Sequence, residues 1–119
     1  MASEPRITDY LAAGLKAAGL RSKVIANNIA NIQTPGFRRQ AVDFENVLAE
    51  ALGRPGALDL AGLEAEITRP MSGSVGSNGN DVVLEKEVAE MVKNSAMYKT
   101  YVRVMAKMYQ QMDLAIRSE

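Results

Sequence analysis

Three residue types are missing from the 119-residue chain: it has no cysteine, no histidine and no tryptophan. Without cysteine there are no disulfides, no thiol nucleophile and no thiolate metal ligand. Without histidine the usual general base and the commonest metal ligand are gone. Carboxylate-only or serine–lysine chemistry would still need a cluster of such groups, and none stands out. The expectation is a protein with no catalytic role, no cofactor and no metal. Charge of either sign is not in excess: 14 lysines and arginines face 14 aspartates and glutamates. Nucleic-acid binding needs a basic surplus, so that partner class is disfavoured. A neutral surface also does little to prevent self-association. Aromatics are sparse at 5%, and much of the 47% hydrophobic content is alanine, which is thin material for a self-sufficient core. No apolar run approaches the ~18 residues of a membrane span. Residues Met1 to Arg6 lead into no apolar signal-peptide core, so no cleavable export signal is expected.

What is present is heptad periodicity at both ends. Residues 8–32 read as a helix whose apolar series runs Leu11, Leu15, Ala18, Ser22, Ile25, Ile29, Ile32, spaced alternately by four and three. That is the seam of a coiled coil. A second series lies beside it: Tyr10, Ala13, Ala17, Leu20, Val24, then Asn27 and Asn31. Residues 82–117 read as one longer helix with the seam Leu84, Val88, Met91, Ser95, Tyr98, Val102, Met105, Tyr109, Met112, Ile116, in which only Ser95 is strongly polar. Its C-terminal half carries a second face, Met97, Tyr101, Val104 and Met108, one residue step around the wheel. Acids at its start and bases further on suit the helix dipole; the cap is expected at Asn80 or Asp81.

Between the two helices, residues 33–81 read as a linker region. Thr34-Pro35-Gly36-Phe37 stops the first helix, and Pro-Gly suits the centre of a type II turn with positive φ at Gly36. Arg38, Arg39 and Gln40 are expected as an exposed link. A short helix over 43–52, capped by Asp43, offers Phe44, Val47, Leu48 and Leu52. Residues 73–80, rich in glycine, serine and asparagine, read as a loop that buries nothing. The fold class is therefore all-α. A single domain over 1–119 has two long terminal helices packed as an antiparallel, coiled-coil-like pair, with a short third helix and an irregular middle. Setting Ser22 against Ser95 brings every other seam position into register, in pairs whose numbers sum to 116 or 117.

One seam per helix satisfies a hairpin and leaves the second faces exposed. Either the short helix folds back over them, or other subunits cover them; a contact that does not close on itself generates a helical polymer. Methionines on the last helix are ordinary core filler in the first case and adaptable interface in the second. Asn27, Asn28 and Asn31, poor helix residues, read as end caps or as interface hydrogen-bonding groups.

The stretch Ala26-Asn27-Asn28-Ile29-Ala30-Asn31-Ile32-Gln33-Thr34-Pro35-Gly36-Phe37 closely resembles the signature of flagellar rod and hook proteins. In that family an N-terminal helix ends in Asn-Ile-Ala-Asn, followed by Thr-Pro-Gly and an aromatic residue. The C-terminal stretches Leu84 to Met91 and Asn94-Ser95-Ala-Met-Tyr98 look like those of the short proximal-rod members, which lack the β-rich insertion of the hook and distal rod. Val83 departs from the aspartate common at that position. The resemblance implies a structural subunit of the proximal rod of the bacterial flagellar basal body. Such a subunit would polymerise helically in the periplasm, leave the cell by type III export and transmit torque. Asn27, Asn28, Asn31, Thr34, Pro35, Gly36 and Phe37 would be its assembly motif. Implied partners are further copies of the chain, other proximal rod proteins, the hook–basal body adaptor protein E and the membrane ring. The alternatives are another axial protein, such as proximal rod protein C, or a generic helical scaffold or adaptor.

Overall fold

The structure is a computed structural model that describes residues 6–53, 62–71 and 73–118. Its elements in chain order are α1 (Ile7–Ala30), β1 (Ala41–Asp43), α2 (Glu45–Leu52), β2 (Glu66–Thr68) and α3 (Leu84–Arg117). Alanine and leucine content favours α1. At its start the Asp9 carboxylate accepts a hydrogen bond from the Arg6 backbone N–H at 2.8 Å, which satisfies one of the free amides of a first turn. At its end Thr34-Pro35 forbids continuation. The acids Glu85 and Glu87 in the first turn of α3 and Arg117 in its last are the order the dipole favours. No helix of the described residues is long and apolar enough to cross a membrane.

α1 and α3 lie antiparallel, giving an elongated body of 66 × 31 × 15 Å. The Gly14 backbone sits under the Tyr101 ring, and Asn28 meets Glu87. Both pairs of numbers sum to 115. By that register Ile7 lies opposite Met108, so residues 109–117 extend past the start of α1.

The pairing of the two helices matches the sequence expectation, but the face that α3 presents does not. Ser95 is exposed, and Ser22 instead donates to the Met91 sulfur at 3.8 Å and accepts from Asn94 at 3.1 Å. Of the expected α3 seam, Met91 and Met105 are half-buried, whereas Leu84, Val88, Tyr98, Val102, Tyr109, Met112 and Ile116 are exposed by 44–72%. The stripe turned toward α1 is Glu87, Met91, Asn94, Tyr101, Met105 and Met108. It keeps Met91 and Met105 of the expected seam and replaces the alternate positions by the residue before, a turn of about 50° around the helix. The physical reason is that Glu87 and Asn94, which read as breaks in an apolar pattern, find hydrogen-bonding partners on α1 and the linker. A buried polar group that is paired costs little.

The second face of α1 is covered from within the chain. Ala13 and Ala17 pack with Phe44, and Leu48, Leu63 and Ala65 close over that cluster. Asp43 accepts from the Asn46 backbone N–H at 3.2 Å, but it ends β1, and the cap position of α2 is held by Phe44 with no side-chain hydrogen bond. The two-stranded sheet is not anticipated by the sequence. β1 pairs antiparallel with β2, with Ala41 opposite Thr68, Val42 opposite Ile67 and Asp43 opposite Glu66. Strands of three residues carry too short an alternation to be legible. The large apolar side chains are therefore mostly outside. The buried apolar set is small (Ala13, Ala17, Ala18, Val24, Ile25, Val42, Phe44 and Ala51), while Asn28, Asn80, Asp81, Glu87 and Asn94 are buried with it.

Candidate assembly site: a polar junction and an outward apolar face

The junction forms where the end of α1, the linker and the start of α3 meet. The turn comes first. Phe37 N–H donates to Thr34 O at 3.2 Å and Gly36 has φ +76°, the type II geometry expected from Pro-Gly. The loop before α3 docks on it: Gly36 N–H donates to Asn78 O at 2.8 Å. Gly79, at φ +83°, lies so close that an added Cβ would sit 3.3 Å from the Gly36 Cα. Asn80 does not cap α3. Its amide donates to Asn31 O at 2.8 Å and Thr34 O at 2.9 Å, tying down the carbonyls that α1 leaves unpaired. Its Oδ1 accepts from Val82 N–H. Residue Val83 occupies the helix cap with no side-chain hydrogen bond. The expectation that residues 73–80 bury nothing is thus corrected at Asn80, which the end of α1 needs as a donor.

The linker that read as exposed is held on both sides. Asn28 grips the backbone of Gln40, donating to its O at 2.8 Å and accepting from its N–H at 2.9 Å. The same Asn28 amide donates to Glu87 Oε2 at 3.1 Å. Glu87 Oε1 accepts from Arg39 Nε at 2.7 Å, its side chain fully buried. Asp81, equally enclosed, accepts from the Arg39 backbone N–H at 2.6 Å and lies 3.6 Å from Arg38 Nη1. Two buried carboxylates are thus each matched to an arginine of the linker. Such a pair adds little net stability against an apolar equivalent, but loss of one partner costs about 3–5 kcal/mol. Further along α3, Asn94 donates to Ala18 O at 2.8 Å and to Ser22 Oγ. Its Oδ1 is buried without a partner among the described residues.

Of the expected motif, Asn28 is the centre of this network. Asn27 is exposed; its Nδ2 reaches Gln40 Oε1 at 3.4 Å and its Oδ1 accepts from Asn31. Asn31 caps the Asn27 carbonyl at 2.8 Å and accepts from Thr34 Oγ1 at 3.1 Å. Thr34, Pro35 and Gly36 are exposed, and Phe37 is half-buried beneath the Arg69 guanidinium at 5.9 Å. Among the residues expected to form a second interface face, Val24 is buried and Tyr10, Leu20, Met97, Tyr101 and Met108 are half-buried. Val104 is exposed. α3 is therefore turned by about half a residue step: Tyr101 and Met108 of the expected outer face line α1 beside Met91 and Met105 of the expected seam, while the other seam positions are exposed. Glu87, Asn94 and Arg39 are contributors that the sequence reading did not single out. The signal for Glu87 and Asn94 is their heptad spacing from each other on α3; Arg39, in the linker, carries none.

Beside the junction, a groove of about 530 Å³ runs between α1, β1 and α3. Its arginines are already matched to carboxylates, Arg21 with Glu45 at 2.9 Å and Arg39 with Glu87. Burial alone would raise the Glu45 carboxyl, but the hydrogen bond from Arg21 and backbone amides hold it below its ordinary value. No group of three or more acids suited to a metal ion occurs among the described residues.

Residues 10–38, which span α1 and the turn, match the model of the flagella basal body rod protein family. The flagellar basal body rod protein FlgB of Bacillus subtilis (strain 168) is 34% identical over 100 residues, covering 76% of this chain and 78% of the relative. FlgB of Borreliella burgdorferi is 28% identical over 131 aligned positions, covering 94% and 96%. The flagellar basal-body rod protein FlgG of Caulobacter vibrioides is 44% identical over 46 residues, but these are only 18% of its length. Similarity over most of both chains, where FlgG is matched over only a small share of its own length, separates the relatives, and on that ground this chain belongs to the FlgB family of flagellar basal body rod proteins.

Proposed function

We propose that the chain is a structural subunit of the proximal flagellar rod that polymerises helically in the periplasm, transmits torque and has no catalytic role. The observation that carries this reading is the inversion of its packing. Carboxylates and asparagines are inside, while Val88, Val92, Val102, Tyr109, Leu114 and Ile116 are 44–72% exposed on α3. A monomer gains nothing from an apolar face about 42 Å long left in water; a polymer buries it. The exposed rim of Asn27, Thr34, Pro35 and Gly36 supplies polar contacts beside that face. The neighbours are other proximal rod proteins, with adaptor protein E and the membrane ring at the base, and the chain is exported through the flagellar type III apparatus. The test is to delete the gene from the source bacterium and to isolate basal bodies from strains carrying a tagged copy. The expected result is rodless basal bodies on deletion and tagged protein in the rod fraction on complementation. Intact rods in the deletion strain would overturn the reading.

A further inference from the structure

On the side of α1 away from the junction, a second groove of about 450 Å³ lies between α1, the Phe44 cluster and α3. Its lining is mostly small and apolar, Gly19 and Leu20 included, with two lysines, Lys16 and Lys23, seven positions apart on α1 and one carboxylate, Glu64, from the segment before β2, so that positive charge is in excess. Two turns of helix bring both onto one face. Neither lysine makes an ion pair among the described residues. At Gly19 the floor is open, with nothing within 4 Å of where a side chain would begin.

Among the described residues, the end of α3 is an unpartnered segment with the complementary chemistry. Residues 109–117 of α3 run past the start of α1, with Tyr109 54% and Ile116 72% exposed. Tyr109, Met112, Asp113 and Ile116 fall at helical spacing on one face, three apolar groups around one carboxylate. Among the described residues, Asp113 pairs with Arg117 of its own helix alone, at 3.3 Å and largely in solvent. That pair is weak and open to exchange.

We propose that this overhang docks into the Lys16–Lys23 groove of a second copy of the chain, with Asp113 between the two lysines and Tyr109 and Ile116 on the Gly19–Leu20 floor. The inference rests on the rod-subunit reading and says which surfaces of two copies meet. The two surfaces lie on different parts of the chain, so each copy receives one neighbour and inserts into another. Such a contact is heterologous and does not close on itself unless the rotation does. It uses the C-terminal end of α3 for what a hairpin alone leaves idle.

Cysteine crosslinking in purified basal bodies tests it, in a background with no native cysteine. Gly19→Cys combined with Ile116→Cys is expected to give disulfide-linked dimers of the chain, identified by the joined peptides. By the α1–α3 register Gly19 lies opposite residue 96. Ile116 of the same molecule is twenty residues further along α3, about 30 Å away. A bridge needs Cα atoms within about 7 Å, so it must join two chains. Rods that contain the double variant but yield no such dimer overturn the docking and leave the rod-subunit reading intact. A disulfide to a different axial protein overturns the choice of a second copy. Absence of the wild-type chain from basal bodies overturns both readings. If the cysteine variants do not assemble, charge reversal decides. Lys16→Glu with Lys23→Glu is expected to lower incorporation by roughly twofold to fivefold per lost pair, and Asp113→Lys added to them is expected to restore it. Lys86→Glu, on the first turns of α3, should leave incorporation unchanged. No loss on reversal, or no rescue by Asp113→Lys, overturns the proposal.

Discussion

Asn28 shows how much one side chain can hold when its neighbours come from three elements. It closes the backbone of Gln40 onto α1 and at the same time supports Glu87, which in turn holds Arg39. Asn28→Ala leaves a buried carboxylate and two linker backbone groups short of partners. It is expected to destabilise the isolated chain by about 3 kcal/mol, read from the urea midpoint of the helical circular dichroism signal. Asn27→Ala removes an exposed side chain from a helix in which alanine is the better former, and is expected to shift stability by less than about 0.5 kcal/mol. If Asn27 belongs to the interface rim, the same variant impairs rod assembly, so it separates the two roles. The residue types at this junction were legible: the asparagine cluster was singled out, and Pro35-Gly36 announced a turn with positive φ. The role of Asn28 was not, because its partner Glu87 is 59 positions away and nothing local to either residue says that they meet.

At the scale of the elements, the two terminal helices and their antiparallel pairing could be read from heptad spacing, and their ends to within two residues. The rotation of α3 could not. A 4-3 pattern of apolar residues says that a face will be buried, without saying whether the same chain or another does the burying. The stripe Glu87, Met91, Asn94, Tyr101 loses to Leu84, Val88, Met91, Ser95 on apolar count and wins in the chain because α1 offers hydrogen bonds at 2.8–3.1 Å to its two polar members. Small residues on α1 let the helices approach. A methyl group at Gly14 would meet the Tyr101 ring at 3.0–3.3 Å, whereas at Gly19 it would meet nothing. Gly19→Ala should therefore stabilise α1 by about 0.5–1 kcal/mol through helix propensity alone. Gly14→Val, with a branched side chain where the ring already sits, should lower stability and part the helices. Thermal unfolding of the two variants side by side checks the opposite signs.

For the whole molecule, contacts are unevenly shared along α3. Its first three turns are tied to α1 and the linker through Glu87, Met91 and Asn94. Beyond Met108 it has no described neighbour, and Leu114 and Ile116 are 59% and 72% exposed. Amide exchange on the dilute protein is expected to show strong protection over 87–101 and little over 109–117, since local opening is easiest where few buried contacts resist it. Uniform protection along α3 would mean that the overhang is stabilised by something other than a neighbour. Assembly should then raise protection at the C-terminal end far more than at the junction.

The geometry of α3 is that of a cantilever, a beam clamped at one end and free at the other. The clamp is made of directional contacts. Hydrogen bonds weaken steeply once their angles bend, so the Asn28–Arg39–Glu87 joint resists rotation about the beam, whereas apolar side chains on the free length can slide against a surface without losing their attraction. A sideways load on the overhang is then felt most at its root. Stiffness and compliance sit at opposite ends of one helix, and each subunit of a shaft built this way would grip at the joint and give along the seam.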